Sequence, residues 1–296
     1  MPDGDDVPAA PPGAGRTGSG GLLLVHAHPD DESLTTGATM ARYAAHGVPV
    51  TLVTCTLGQR GEISAPDLAH LTPDELGEHR RGELAAAMRA LGVADHRLLG
   101  GGRWRDSGMV WLRPGIAGVA PDADPRSFAL AGLDECAASL LEVIADVRPR
   151  AVVTYDPNGG YGHPDHVQAH RVTMRAVELA AQRGSGPDRA YWIRTPRSTA
   201  LRERATLLRR RPSWMGARAL DDPLPPVVAD DDVVTTVVDG SAHVGAKRAA
   251  LRAHRSQLRV EDDAFALTDG VAQRLSGIEG FQLVRGPLDR GDDLLS

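Results

Sequence analysis

Cysteine, lysine and long apolar runs are all scarce in this chain of 296 residues. Its two cysteines, Cys55 and Cys136, are too few for a disulfide framework, so we expect a reducing, cytoplasmic environment. Lys247 is the only lysine, so Schiff-base chemistry would have to depend on that residue alone. No apolar run approaches the roughly 18–20 residues that a membrane span needs. The chain begins with the acidic segment MPDGDD, where a signal peptide needs basic and then apolar residues, so we expect no membrane partner.

An excess of basic residues is also absent. The chain has 33 basic and 39 acidic residues, which gives a net charge of -6. A nucleic-acid binder usually carries a basic excess, so we expect no nucleic-acid partner. With 42% hydrophobic and 24% charged residues, the composition is that of an ordinary globular protein and excludes a fibrous or wholly disordered chain.

The first twenty residues have the composition of a flexible tail. Nine of the residues in 1–20 are proline or glycine, and no apolar period runs through them. Residues 13–18 spell GxGxxG, but a dinucleotide fingerprint must follow a strand, and here the first predicted strand comes after it. We therefore expect folded structure to begin at Gly21.

From Gly21 onward, short apolar runs alternate with helical patterns. The predicted strands are 22–25, 48–54, a short one ending at 98–99, 151–155, 191–193 and 233–238. The predicted helices are 36–46, 73–91, 128–147, 163–182 and 242–254. This alternation predicts an α/β fold with a Rossmann-like, mostly parallel sheet, helices on both faces and a smaller C-terminal elaboration. Ligands of such sheets bind beyond the carboxyl ends of the strands.

Two polar segments follow predicted strands at this edge. Residues 26–33 (HAHPDDES) come after the first strand, and residues 155–166 (YDPNGGYGHPDH) come after the fourth. Together they hold four of the eleven histidines. One such segment alone would be read as capping residues ahead of a helix. Two complementary segments at one sheet edge indicate a functional site.

The spacing within these segments suits a divalent metal ion. His28 and Asp31 are three residues apart across a turn that contains proline, so both can face one point. His163 and His166 share one side if Pro164 lies in the first turn of a helix. Zinc takes imidazole nitrogen and carboxylate oxygen and keeps an open position in catalytic sites. With no cysteine nearby, iron or manganese would also fit.

The segment 26–32 (HAHPDDE) resembles the signature of the LmbE-like, PIG-L-type zinc deacetylases. Further segments are similar to the branch of this family that removes acetate from N-acetylglucosaminyl-inositol in mycothiol biosynthesis: 54–58 (TCTLG), 80–84 (RRGEL), 103–109 (RWRDSGM) and 155–166. The resemblance implies a metal-dependent catalytic core at 21–183 and a C-terminal part at 184–296 that completes the fold and covers the site.

The resemblance also implies the ligands and catalytic groups. One Zn²⁺ per chain, with Fe²⁺ as the alternative, would be bound by His28, Asp31 and His166. Asp30 would be the general base that takes a proton from the attacking water. His163 would stabilise the oxyanion or protonate the leaving amine. Tyr161 would help to polarise the carbonyl, and Asp165 would tune the neighbouring histidine.

Substrate recognition follows the same resemblance. Arg80, Asp106 and Glu62 occupy the positions that would bind a small pseudodisaccharide. The resemblance implies an acidic pair just before Gly61 and Glu62, but this chain has Gln59 and Arg60 at those positions. The difference bears on substrate preference. Alternatives are a mycothiol S-conjugate amidase, another N-acetyl sugar deacetylase, or a metal- or sugar-binding module without activity. The sequence is compatible with a homo-oligomer as well as with a monomer.

Overall fold

The computed structural model describes residues 20–113, 116–288 and 290–296. Within these ranges the strands are β1 (Leu22–His26), β2 (Val50–Thr54), β3 (Asp95–Leu98), β4 (Met109–Arg113), β5 (Ile116–Val119), β6 (Ala151–Thr154), β7 (Arg189–Pro196), β8 (Val228–Ala229), β9 (Thr236–Asp239), β10 (Arg259–Glu261), β11 (Ala264–Ala266), β12 (Gln273–Arg274) and β13 (Ile278–Arg285). The helices are α1 (Asp31–Thr35), α2 (Gly37–Ala45), α3 (Pro73–Leu91), α4 (Leu133–Val147), α5 (Gly159–Gly162), α6 (Pro164–Gln182), α7 (Arg197–Arg210) and α8 (Val244–Ala253).

A mostly parallel sheet organises the described chain. Its strands lie in the order β3, β2, β1, β6, β7, β13, β9, and β8 pairs with β7. The five strands from β3 to β7 are parallel to their neighbours, whereas β13 is antiparallel to both β7 and β9. The predicted fold class is therefore confirmed, with the last strands supplying an antiparallel edge.

The strand β1 is buried on both faces of the sheet. Leu22 and Leu24 pack into a cluster with side chains of α2, α3 and α8. Leu23 and Val25 point the other way and pack with α4 and α6. Because both faces are covered, β1 is apolar at four successive positions and shows no alternation of polar and apolar residues.

Helix boundaries follow local signals where those signals are strong. Thr72 and Glu75 form a capping box at the start of α3, and Gly92 ends that helix in the left-handed conformation at φ 74°. The predicted helix at 128–147 was wrong as one element. A short 3₁₀ turn at Phe128–Leu130 is separated from α4 because Ala131 and Gly132 are extended.

Several elements were not anticipated from the sequence. These include strand β13 of the main sheet, the hairpin of β4 and β5, the small sheet of β10, β11 and β12, and helix α7. The expected tail at 1–20 and the GxGxxG segment lie outside the described residues, except for Gly20. Among the described residues, no helix is long and apolar enough to cross a bilayer.

The core gives a stability prediction. Leu24 is fully buried in the central strand, so Leu24→Ala should lower the free energy of unfolding by about 2–5 kcal/mol. Leu112, which is 68% exposed in the hairpin, provides the matched control, and Leu112→Ala should change it by less than about 0.5 kcal/mol. Urea unfolding followed by circular dichroism measures both. Equal midpoints for the two variants would contradict this packing.

Candidate active site

The two histidine-containing segments meet beyond the carboxyl ends of β1 and β6, which are neighbours in the sheet. Helix α1 begins at Asp31, directly after the first segment. His163 is the N-cap of α6, and its Nδ1 accepts a hydrogen bond from the backbone N–H of Asp165 at 3.1 Å. The sheet therefore brings together residues that are more than 130 positions apart in the chain, as in His28 and Asp165, which are 137 apart.

His28 presents one ring nitrogen to Asp31. Its Nε2 lies 3.1 Å from Asp165 Oδ2. Because a carboxylate only accepts, Nε2 carries a proton and donates it to Asp165. Nδ1 then faces Asp31 Oδ2 at 3.3 Å. Burial alone would lower the pKa of His28, but Asp106, Asp165 and Asp31 together raise it well above its ordinary value. The surrounding carboxylates therefore favour positive charge at this point, which either a proton or a bound metal ion would supply.

His166 faces the same oxygen from the other side. Its Nδ1 lies 3.2 Å from the carbonyl oxygen of Gly159, so Nδ1 carries the proton that is donated. Its Nε2 is buried, has no hydrogen-bond partner, and lies 3.3 Å from Asp31 Oδ2. Gly159 has φ +61°, and a Cβ there would meet His166 Cβ at 2.7 Å, so only glycine fits behind this ring.

When the rings of His28 and His166 are neutral, three lone pairs converge on one point. Asp31 Oδ2 and His166 Nε2 are both acceptors, and the free nitrogen of His28 faces the same oxygen. Acceptors in close contact repel unless a cation lies between them, and imidazole nitrogen with carboxylate oxygen is a donor set for divalent metals. The arrangement therefore fits a metal ion.

Among the described residues, two groups bring all their potential ligand atoms within 4.8 Å of one another: His28 with His163 and His166, and His28 with Asp106 and Asp165. The predicted set of His28, Asp31 and His166 is not one of these groups. In His163, Nδ1 already accepts a hydrogen bond, so the proton of the neutral ring lies on Nε2. Burial, with His28 and His166 adding to it, lowers the pKa of His163 well below its ordinary value. His163 is thus a neutral ring whose Nε2 carries a hydrogen-bond donor.

Asp30 has an unusual backbone and a buried carboxylate. Its φ is 116°, a region that residues other than glycine rarely adopt. Its Oδ2 lies 3.3 Å from a guanidinium nitrogen of Arg80. Burial raises the pKa of Asp30 to about 6, although Arg80 opposes this shift. A carboxyl with that pKa is suited to accept and return a proton near neutral pH.

Arg80 is buried and is held by the protein itself. Its guanidinium donates to the carbonyl oxygen of Gly58 at 2.7 Å and to that of Pro29. It therefore connects α3 to the turn that carries Asp30.

Asp106 and Tyr161, two further predicted site residues, differ in burial. Asp106 is buried and accepts from the backbone N–H groups of Arg60 and Gly108 at 3.0 and 2.8 Å. Burial opposes it, but His28, His163 and these N–H groups lower the pKa of Asp106 to about 2. Tyr161 is partly buried, with its ring 5.1 Å from that of His166.

Glu62 differs from the other predicted residues because it is exposed. It accepts a hydrogen bond from the hydroxyl of Thr268 at 2.5 Å. Its contact is therefore with the C-terminal part of the chain.

Sequence reasoning missed several residues that support the site. The backbone N–H of Ser107 donates to Asp165 at 2.9 Å, and the ring of Tyr155 stacks on His166 with centroids 4.3 Å apart. Glu32 and His254 form a buried pair at 2.8 Å. Ser107, Tyr155 and Glu32 all lie within conspicuous sequence segments, and that was the available signal. His254 has no such signal.

A cavity of about 430 Å³ lies beside Asp31, Tyr161 and His166 and extends to apolar side chains such as Leu207 and Phe265. This volume is within the range of about 300–1,000 Å³ that is typical of small-ligand sites.

Comparison with solved structures bears on the fold. The N,N'-diacetylchitobiose deacetylase of Pyrococcus horikoshii matches with a TM-score of 0.53 and 19% identity, over 89% of this chain and 83% of that one. The 4-carboxy-2-hydroxymuconate hydratase GalB of Pseudomonas putida matches with a TM-score of 0.52 and 18% identity, over 90% and 97%. One fold thus serves a deacetylase and a hydratase, so it does not by itself define the reaction.

Comparison with sequences is more specific. A relative from Streptomyces griseus, named 1D-myo-inositol 2-acetamido-2-deoxy-alpha-D-glucopyranoside deacetylase, is 53% identical over 276 residues, which is 90% of this chain and 83% of the relative. The family model described as PIG-L, GlcNAc-PI de-N-acetylase, matches residues 23–177, which include both histidine-containing segments. The resemblance noted in the sequence is therefore confirmed, and the chain belongs to the PIG-L family.

Proposed function

We propose that this chain is a zinc-dependent deacetylase that removes acetate from 1D-myo-inositol 2-acetamido-2-deoxy-α-D-glucopyranoside, the compound that names its Streptomyces relative. The observation that carries the proposal is the convergence of three lone-pair atoms at Asp31 Oδ2, with the buried carboxylate of Asp30 adjacent in the chain. The small carbohydrate is the partner that this reaction requires.

The metal would be held by His28 Nδ1, Asp31 Oδ2 and His166 Nε2. Zinc supplies Lewis acidity when bound, which activates water at neutral pH and polarises an amide carbonyl. Asp165 fixes His28 and Gly159 fixes His166 through their other ring nitrogens. Such contacts orient metal-binding histidines and increase their basicity.

The protein's own groups supply the proton transfers. Asp30 accepts a proton from the attacking water. His163, neutral with its proton on Nε2, donates a hydrogen bond to the developing oxyanion, and Tyr161 adds a second donor. One such donor is typically worth about 3–4 kcal/mol. The amine then leaves with the proton that Asp30 returns, or with one from His163 in its protonated form, which are the two alternatives.

Recognition of the sugar is assigned to Arg80, Asp106 and Glu62. Asp106 retains lone pairs beyond its two backbone contacts and can accept from a hydroxyl. Arg80 additionally orients Asp30. The exposed Glu62 stands beside the C-terminal loop that carries Thr268.

Hydrolysis of a larger amide, as in a mycothiol S-conjugate amidase, is the second candidate. The cavity of about 430 Å³ beside Asp31 and His166 favours it, since an acetyl group fills only a small part of that volume. Against it, the segment after HPDDE lacks the lysine expected in that branch.

Two variants should distinguish the residue that binds the metal from the residue that transfers the proton. Asp31→Ala removes the central ligand, so we expect the metal content measured by mass spectrometry to fall from one ion per chain to near zero. Asp30→Asn keeps the side-chain shape and tolerates the left-handed backbone, so the ion should stay while turnover falls about 10²–10⁴-fold. If Asp30→Asn lost the ion, or kept its rate, the assigned roles would be wrong.

Metal removal and the two substrates test the reaction itself. Chelation should abolish acetate release from N-acetylglucosaminyl-inositol, and zinc or Fe²⁺ should restore it, because the site needs a cation between acceptors. The same enzyme should cleave a bimane conjugate of mycothiol more slowly. Faster cleavage of the conjugate would favour the amidase, and release of acetate by the fully chelated enzyme would exclude the metal-dependent reaction.

A further inference from the structure

The backbone of Asp30 needs support from its surroundings. Among the described residues other than glycine, only Asp30, Arg148 and Asp262 have a positive φ. Residues held in such regions are strained and persist only where neighbouring contacts impose the conformation. Arg148 and Asp262 lie outside the active site, so the conformation of Asp30 is the one that bears on the proposed reaction.

One buried carboxylate holds this conformation. The backbone N–H of Asp30 donates to Glu32 Oε2 at 2.9 Å. The other oxygen, Oε1, accepts from the hydroxyl of Ser33 at 2.5 Å and faces His254 Nε2 at 2.8 Å. Glu32, Ser33 and His254 are all fully buried. Because water does not reach Glu32, these protein donors alone determine where its carboxylate lies.

His254 is the donor that comes from elsewhere in the chain. It follows α8 directly and is 222 residues from Glu32 in sequence. Its Nδ1 is buried without a hydrogen-bond partner, so the ring's one hydrogen bond is the contact with Glu32. The turn that carries it is anchored separately, because the backbone N–H and hydroxyl of Ser256 donate to Glu83 at 2.9 and 2.6 Å.

Loss of His254 would leave Glu32 as a buried carboxylate without the partner that contacts its Oε1 at 2.8 Å. Such a group is costly, and it relieves the cost by reorienting toward other donors. Reorientation weakens the acceptor for the N–H of Asp30. The turn at Asp30 could then relax, while Asp31, held through α1 and its own contact with the backbone N–H of His28, would keep its place.

We propose that His254 is a positioning residue for the deacetylation: through Glu32 it fixes the backbone of Asp30 and thereby aims the carboxylate of the general base at the reacting centre. This inference rests on the proposed function. It also gives the C-terminal part of the chain a role in the chemistry of the N-terminal metal loop, although that part supplies none of the proposed metal ligands.

The test compares His254→Ala with His254→Gln and Ser256→Ala. In His254→Ala, kcat for acetate release should fall about 10–100-fold, since misplacement by about 1 Å costs on the order of 10². KM should change less than about 2-fold and the metal should remain at one ion per chain, because sugar contacts and ligands are untouched. His254→Gln retains an N–H donor and should recover most of kcat. Ser256→Ala loses a buried hydrogen bond in the same turn and should keep kcat despite a lower Tm.

The outcomes separate this role from a merely structural one. If His254→Ala and Ser256→Ala lower Tm alike and both keep kcat, the positioning role is wrong. It is equally wrong if the loss appears in KM or in metal content. Absence of acetate release by the wild-type enzyme would overturn the proposed function instead.

A second variant covers the case in which His254→Ala does not fold. In Glu32→Gln/His254→Ala no unpaired charge is buried, so this variant should fold. It should show the same loss of kcat, because the amide lacks the donor that fixes its orientation. A wild-type kcat in the folded double variant would overturn the proposal.

Discussion

The candidate active site depends on the close approach of acceptor atoms from facing side chains, which positive charge between them would stabilise. Asp31 Oδ2 faces His166 Nε2 at 3.3 Å, and the proton of His166 is committed to the carbonyl of Gly159 on the other side of the ring. Two acceptors at this distance, buried from water, repel each other unless a proton or a metal ion lies between them. The neighbouring residues orient the two rings for this arrangement. Asp165 accepts the proton on the other nitrogen of His28, and the absence of a side chain at Gly159 lets its backbone lie close behind His166.

Adjacent carboxylates acquire different properties from their surroundings. Histidines on two sides lower the pKa of Asp31 well below its ordinary value despite burial, whereas burial raises the pKa of Asp30 to about 6. One is thus suited to remain ionised beside a metal and the other to exchange a proton. The difference requires the two side chains to point apart. The positive φ of Asp30 accomplishes this, supported by Glu32 on one side and Arg80 on the other.

The sequence predicted the elements whose signals are local. Strand β1 was recognised because four apolar residues in succession reflect burial on both faces, and α3 because Thr72 and Gly92 mark its ends. The helix at 128–147 was wrong because Ala131 and Gly132 adopt extended conformations that apolar periodicity does not reveal. The strands after residue 184 were incompletely predicted. Strands β10 and β12 have three and two residues, too few for a period to appear, and the eight-residue strand β13 was missed as well.

The residues of the candidate site were likewise predicted only where a local sequence signal identifies them. The histidines and aspartates of the two loops were found because each follows a predicted parallel strand, and the carboxyl ends of adjacent strands share an edge. The pairing of Glu32 with His254 could not be found, because it depends on how α8 packs against α1 across 222 residues of sequence.

The central claim is the identity of the atoms that are proposed to bind the metal. A crystal structure of the zinc-loaded protein, with anomalous data at the zinc edge, should place one ion about 2.0–2.2 Å from His28 Nδ1, Asp31 Oδ2 and His166 Nε2. An ion bound instead through His163, or through Asp106 and Asp165, would contradict the account.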